Sequence, residues 1–577
     1  MSGKKVIVLG GGVGGMSAAH ELAERGFEVH VFERWDIPGG KARSIPKPHS
    51  GTQGRLDLPG EHGFRFFPRF YKHVVDTMKR IPYGNNPNGV YDNLVETTRI
   101  DVTRFKAPGV QMLSRFPHSL SDLKALLGEV QAVESDIGLK PGELDFFAER
   151  IWQIMTSCEA RRADEYERIA WWDYIGAGSR SEGYQKFLAE GLTRSLVAAD
   201  AKVASTKIEG DIGLQLFLDL GTPGVSADRV LDGPTNDVWI NPWLAYLQKR
   251  GVHYHLKHRL EFIHCVDGVI QSVTVAGPDG PFVVTGDYYV VAVPVEVMGR
   301  FLRQEQHKPI LKADPGLEGI IPFSKNIAWM NGLQLYLNRD VPIAHGHVIY
   351  LDSPWAVTSI SQKQFWPDFD LSQYGNGDVR GIISVDISDW NAPGVLYKKP
   401  AKRCTREEIK NEVWEELKRS LNVDGQVVLK DEDLVTWFFD SDIEDRDRSA
   451  PEKYEDAEPL FIAPVNTWHL RPDAYTRIPN LFIAADYVRT YTQLATMEAA
   501  NEAARRAVNA IVDASGASAP YCKLWPLHEP IIFSLWRWWD QRRYDRSLPW
   551  TDEAPWAVSL AQNLFNGVYS LWRKIRG

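Results

Sequence analysis

The chain opens on the apolar run Val6-Ile-Val-Leu9, rich in β-branched residues and closed by Gly10, which reads as a buried strand entering a turn. Ala19, Leu22 and Ala23 then recur at helical spacing between Met16 and Arg25, and 27–33 alternates as a second strand. Strand, glycine turn, helix and strand within about 30 residues form the βαβ unit that begins a dinucleotide-binding fold. From Leu120 to about Leu220 the pattern is helical with few strand signals, which predicts an inserted helical lobe. Helical spacing over 241–250, strands over 251–256 and 260–275, and the apolar run 287–293 closed by Pro294 predict a return to the first domain. Strand-like runs at 332–337 and 381–385 precede a charged helix at 405–421, whose Thr405…Glu408 pair has the spacing of a capping box. Together they predict a second, substrate-facing layer. The acidic stretch 441–458 contains Pro451 and reads as a solvated loop, while 481–485 and 496–512 read as a last strand and helix.

Composition narrows the class. With 577 residues, 44% apolar and 24% charged, the chain supports a folded protein of more than one domain. A net charge of −9 has the wrong sign for a protein that coats nucleic acid. Cys158, Cys265, Cys404 and Cys522 stand far apart with no CxxC pair, so neither a disulfide framework nor a metal site is expected, and a reducing cytoplasm is the simplest compartment. No apolar stretch nears the roughly 18 residues of a membrane span, and the N-terminus lacks a signal-peptide pattern.

The candidate chemistry begins at Gly10-Gly11-Gly12-Val13-Gly14-Gly15, a GxGxxG string between strand and helix. Here Gly10, Gly12, Val13, Gly14 and Gly15 let backbone N–H groups and a helix N-terminus approach a pyrophosphate without Cβ obstruction. Glu33 ends the second strand, with Arg34 beside it. A carboxylate there accepts hydrogen bonds from a ribose hydroxyl and repels a 2′-phosphate.

Beyond it, Gly39-Gly40-Lys41-Ala42-Arg43-Ser44 resembles the GG(R/K)xxS element of the flavin-containing amine oxidase and phytoene desaturase superfamily. The segment Asn480-Leu-Phe-Ile-Ala-Ala-Asp486, followed by Thr496-Met-Glu-Ala-Ala500 and 503–507, resembles that family's NLFxAGD…MEGA…SGxxAA block, with Ala485 and Ala499 in place of glycines. The resemblance implies FAD as cofactor and one FAD domain assembled from both chain ends. It places Gly39, Gly40, Lys41, Arg43, Ala485, Asp486, Thr496, Met497 and Ala500 against it, Leu260 near the adenine and Pro294 after a family-like strand. Amine oxidases usually carry Glu where Asp486 stands, and phytoene desaturases Asp. The run Glu61-His-Gly-Phe-Arg-Phe-Phe-Pro-Arg-Phe-Tyr71 resembles a segment of plant-type phytoene and ζ-carotene desaturases and of hydroxysqualene dehydroxylases, which puts Gly63, Phe64 and Arg65 at the flavin. Arg65 replaces the family His; as a permanent cation it could stabilise an anionic reduced flavin or a polar substrate end but could not act as a base. It is the candidate catalytic residue, against the plainer reading that it pairs with Glu61 or Asp57.

The resemblance therefore implies an α/β protein with three parts. A discontinuous Rossmann-like FAD domain takes 1–75, 235–300 and 475–515; an α+β substrate domain with a helical lobe takes 76–234 and 301–474; a helical tail takes 516–577. The implied reaction is hydride transfer to flavin N5 from a long hydrophobic isoprenoid, carotenoid or related unsaturated lipid, with a quinone or oxygen as electron acceptor. An amine oxidase of the same fold, a non-redox isomerase or dehydroxylase of a polyene or squalenoid, and a non-catalytic lipid-binding protein stand as alternatives. The tail departs from the family: residues 521–577 hold seven of the 20 Trp, with eight basic and five acidic residues. Its helical faces, Ile531/Leu535/Trp538/Trp539/Arg542 and Trp556/Leu560/Leu564/Val568/Trp572/Ile575, suit peripheral attachment to the inner face of a membrane.

Overall fold

The computed structural model describes residues 3–111, 138–191, 193, 199–220, 226–446, 452–553, 556, 558–560 and 564. The start of the expected helical lobe, part of the acidic stretch, and Val568, Trp572 and Ile575 lie outside these residues. Two compact units form, one of 1–109, 228–462 and 467–526, the other of 110–227, 463–466 and 527–577.

The first unit holds the dinucleotide sheet. Strand β1 (Lys5–Leu9) leads through the glycines into helix α1 (Val13–Glu24) and back along β2 (Glu28–Phe32). The sheet is parallel, in the order Leu481–Ile483, Tyr288–Val291, β1, β2, His253–His255. Because β1 is fully buried from Val6 to Leu9, its continuous apolar run is that of a strand covered on both faces. The helix Met497–Ser515 packs beside α1, where the Asn501 amide donates to Ser17 Oγ at 2.8 Å and Thr77 Oγ1 at 2.9 Å. A three-stranded antiparallel layer, Arg259–Val266, Val269–Gly277 and Gly280–Val284, stands beside this sheet in sequence.

The same unit carries a seven-stranded sheet, with Asn331–Leu337, Gly381–Ile387, Val357–Ser361 and Gly346–Tyr350 at its centre. Leu333, Leu335 and Leu337 face the helix Arg406–Leu421 through Ile409, Val413 and Leu417, while Tyr336 faces Ile45 and Leu58 on the other side. The Thr405…Glu408 capping box forms as its spacing predicts.

The expectation of a solvated loop at 441–458 is corrected. Ile443–Asp445 pairs antiparallel with Tyr454–Asp456, and Asp442, Asp456 and Glu458 are buried. A run of acids reads as surface until its cationic partners are known, and those lie about 400 residues away in sequence.

The second unit is helical among its described residues: Glu143–Thr156, Glu159–Asp164, Thr206–Leu220 and, from the tail, Ser534–Tyr544. Phe147 and Trp171 are core, with ring centroids 6.3 Å apart. Asp540 of the tail helix accepts from Arg161 Nε at 3.0 Å and from the Cys158 N–H at 2.9 Å. The four cysteines are free and buried. No helix among the described residues is long and apolar enough to cross a membrane.

Candidate active site

Helix α1 begins at Val13 with Gly12 as its N-cap, no side-chain cap and no acid in its first turn. Its first N–H groups are thus left for an anion, with the positive end of the helix dipole behind them. Gly14 is required by packing: a Cβ there would lie 2.2 Å from the Ala484 carbonyl oxygen, so the helix could not approach the strand Leu481–Ile483. Gly40, at φ +58°, leaves no more room, since its Cβ would lie 2.8 Å from Gly12 Cα. Gly10 and Gly15 complete the crowded turn, and the Gly39 N–H donates to the Gly11 carbonyl at 3.2 Å. The two glycine elements therefore form one cradle. Glu33 lies against it, accepting the Gly11 N–H at 2.7 Å and the Trp35 N–H at 2.9 Å. Burial raises its pKa, and these two bonds oppose the rise. An uncapped helix start, a backbone cradle and a carboxylate at the end of β2 fit the pyrophosphate and ribose of FAD.

Leu260 is buried at the start of its strand, and Pro294 caps the helix Val295–Arg303. Ala485 is buried beside the half-buried Asp486, whose pKa is raised by burial against the pull of Lys41 and Arg471. Thr496 Oγ accepts the Ala499 N–H at 3.1 Å, so the helix that starts with Met497 and Ala500 in its first turn is side-chain capped, unlike α1.

The sequence cations have acidic or carbonyl partners. Lys41 donates to the Pro459 carbonyl and stands 3.9 Å from Glu296. Arg34 pairs with Glu458 at 2.5 Å. Arg43 forks onto both oxygens of Asp442 at 2.6 and 2.7 Å and reaches the Gly40 carbonyl at 2.8 Å, so its role is to hold the second glycine turn in place. Burial opposes ionisation of Glu458, but Arg34, Lys41 and Arg43 overcome it and bring its pKa down to about 2.

Arg65 is half-buried and donates to the carbonyls of Gly63 and, at 2.7 Å, of Lys41. Burial lowers its pKa, against the attraction of Glu61 and Asp386. The carboxylates expected as its ion-pair partners are held elsewhere: Glu61 by Ser44 and the Thr235 N–H, each at 2.9 Å, and Asp57 by the Gly51 N–H at 2.8 Å. Arg65 thus ties the Gly63–Phe64 segment to the second glycine element. Beside it a cavity is lined by Glu61, Phe64, Arg65, Val230, Leu231 and Trp366, among others.

A cluster that sequence reasoning missed lies under this segment. His62 Nδ1 is 2.9 Å from Asp440 and 3.0 Å from Asp442, and Asn331 donates to Asp440 at 3.1 Å. Burial disfavours the imidazolium, but the two carboxylates raise its pKa to about 10. Although the three ligand atoms lie within 4.8 Å of one another, the Arg43 fork already occupies Asp442. The cluster is therefore a charge-compensated clamp of His62 and Arg43 on two carboxylates. Asp386 packs on Gly63, with Oδ1 2.9 Å from where a Cβ would stand, and burial raises its pKa to about 7 despite Arg65 and His62. The motif Glu61-His62-Gly63 was the available signal, but its acids come from other strands.

The chain is 22% identical over 542 residues to a probable zeta-carotene desaturase of Synechococcus elongatus, covering 89% of this chain and 100% of that protein. It is likewise 22% identical over 542 residues to a zeta-carotene desaturase of Synechocystis sp., covering 88% of this chain and 97% of that one. Cyclohexylamine oxidase from Brevibacterium oxydans shares the fold at a TM-score of 0.57 and 13% identity, over 89% of this chain and 99% of that chain. Residues 13–512 match the family described as flavin containing amine oxidoreductase. Because that match runs from the first turn of α1 into the helix begun by Met497, the chain belongs to the flavin-containing amine oxidoreductase family and is an FAD-dependent oxidoreductase.

Proposed function

We propose that the protein dehydrogenates a long apolar unsaturated substrate of the isoprenoid or carotenoid class. The observation that carries this reading is the near full-length similarity to two ζ-carotene desaturases, which supports the same substrate class. The cavity beside Gly63–Arg65 is small and mixed in character, with Phe64, Val230, Leu231, Ile360 and Trp366 beside Glu61, Arg65, Thr235 and Gln362; it would have to widen to admit such a substrate. Bound FAD would supply a two-electron acceptor for the hydride, and the second hydrogen would leave the substrate as a proton to solvent. The chain's own residues bind and orient: α1 and the two glycine elements take the pyrophosphate, Glu33 the ribose, and Arg65 presents a fixed cation at the cavity edge. A quinone or oxygen then takes the electrons. The protein works in the cytoplasm at a membrane surface, which the exposed Trp538, Trp556, Leu560 and Leu564 would contact.

The test is the flavin absorbance of anaerobic protein mixed with a detergent-dispersed carotene precursor or with a set of amines. Bleaching by the polyene alone is expected. Bleaching by amines alone, or conversion of the polyene with no bleaching at any time, overturns the reading.

A further inference from the structure

Glu296 stands in the first turn of the helix Val295–Arg303. Both of its carboxylate oxygens are shut off from solvent, and neither has a hydrogen-bond partner among the described residues. Lys41 Nζ is 3.9 Å away, an ion-pair distance too long for a hydrogen bond. Burial raises the pKa of Glu296 against the pull of Lys41. The Tyr487 hydroxyl, in a residue 0% exposed, is likewise without a partner. Burial raises its pKa, and the charges of Asp486 and Glu296 add to the rise, so this donor and these acceptors share one neighbourhood without bonding one another. Buried polar groups are hydrogen-bonded as a rule, and an orphaned donor and acceptor beside a cofactor cradle point to the cofactor.

The order of the sheet identifies which part of the cofactor. Strand β1 pairs in parallel with β2 on one side and with Tyr288–Val291 on the other. Glu33 follows β2 and Glu296 follows Tyr288–Val291, so the two carboxylates flank the glycine turn from opposite sides along one edge of the sheet. The turn before Glu296 is close-packed on the cradle, since a Cβ on Gly10 would lie 2.4 Å from the Ala292 carbonyl oxygen. A dinucleotide crosses such an edge with its pyrophosphate at the helix start. With the adenosine ribose at Glu33, the part of FAD that continues past the pyrophosphate toward Tyr288–Val291 is the ribityl chain, a row of hydroxyl donors. A carboxylate accepts from hydroxyls and repels phosphate.

We infer that Glu296 holds the ribityl chain of FAD, its carboxylate accepting hydrogen bonds from the hydroxyls there while Lys41 offsets its charge. Glu296 is thus a cofactor-positioning residue whatever the substrate. Sequence reading did not find it because the family-like strand stops at Pro294, and an acid two residues beyond reads as an ordinary first-turn carboxylate on a helix dipole.

The experiment compares two ligands on the full chain, for the wild type, E296A and E296Q. Dilution of the flavin-loaded protein, followed by the fluorescence of released FAD, gives the Kd of FAD. Displacement of the bound FAD by ADP, which carries the diphosphate and ribose but no ribityl chain, gives the Kd of ADP. E296A should raise the Kd of FAD by more than about 10-fold and leave that of ADP within about twofold, the loss of a charge-assisted hydrogen bond made to the ribityl chain alone. E296Q keeps the shape and one acceptor oxygen and should fall between; it carries the same comparison should E296A not fold, which the melting profile reports. A Kd for ADP that rises together with that for FAD makes Glu296 a prop for Lys41 and overturns the inference, as does a Kd for FAD that is unchanged or lowered.

Discussion

At the residue scale, the buried charges around Gly40 and Gly63 explain how a cradle of glycines keeps its shape. Arg43 grips the Gly40 carbonyl, Asp442 grips Arg43, and His62 faces Asp442 and Asp440. This chain has a pH signature. The folded pKa of His62 is about 10, above its ordinary 6.5. The folded state therefore binds the proton more tightly, and His62 contributes stability that is complete below pH 6.5 and lost as pH rises through 10. The slope from one such group reaches about 1.4 kcal/mol per pH unit inside that window. Asp386, raised to about 7, has the same sign of slope but acts mostly below it. His62→Asn should lower the melting temperature at pH 7 and flatten its fall between pH 7 and 10, so that the two proteins converge at the alkaline end. Melting curves at pH 7, 8, 9 and 10 measure this; parallel curves for the two proteins would remove a charged His62 from the account.

At the element scale, the first helix of the tail was legible from its periodicity, but its partner was not, because Trp residues occur all round it. The helix Ser534–Tyr544 packs within its own unit: Trp152 meets Phe533 and Trp536 at ring distances of 5.6 and 6.0 Å, and Asp540 is 3% exposed on Arg161. Deleting the whole tail would therefore damage the lobe and say nothing clear about membranes. Separate substitutions do. Asp540→Ala takes one carboxylate from the buried Arg161, which keeps Glu165 at 2.5 Å and the Leu548 carbonyl at 2.8 Å, and leaves the Cys158 N–H without its acceptor; it should destabilise the helical unit by about 1–3 kcal/mol, seen as an early loss of helical circular dichroism. The W538S/W556S/L560S variant changes residues that are 48%, 78% and 51% exposed and should leave melting nearly unchanged. It should also reduce flotation with anionic vesicles several-fold. Undiminished flotation would rule out that surface as the membrane contact.

At the scale of the whole molecule, the β1–α1–β2 unit was legible because its period, glycines and acid are all local, and strand Leu481–Ile483 and the helix Met497–Ser515 were legible through a motif resemblance. The buried acids at 440–458 were not, since only the fold supplies their cations. The residue order of the dinucleotide sheet makes its own demand: β1 lies between Tyr288–Val291 and β2, and Leu481–Ile483 pairs with Tyr288–Val291 at the edge. The helix Met497–Ser515 also organises segments far upstream. Glu498 accepts the backbone N–H groups of Lys72, His73 and Val74 at 2.7, 2.8 and 2.9 Å and holds His73 Nδ1 at 2.7 Å. It thereby fills the uncapped start of the helix His73–Lys79. Gly14 packs on Ala484 from the other direction. A chain ended at residue 479 keeps every N-terminal glycine and Glu33, yet it loses the edge strand, the wall behind α1 and the cap on a second helix. Such a chain should purify without flavin, the ratio of absorbance at about 450 nm to that at 280 nm falling to background, where the full chain is yellow. If the shortened chain retained stoichiometric FAD, the N-terminal βαβ unit would be sufficient by itself, and the assembly of the site from both ends of the sequence would have to be abandoned.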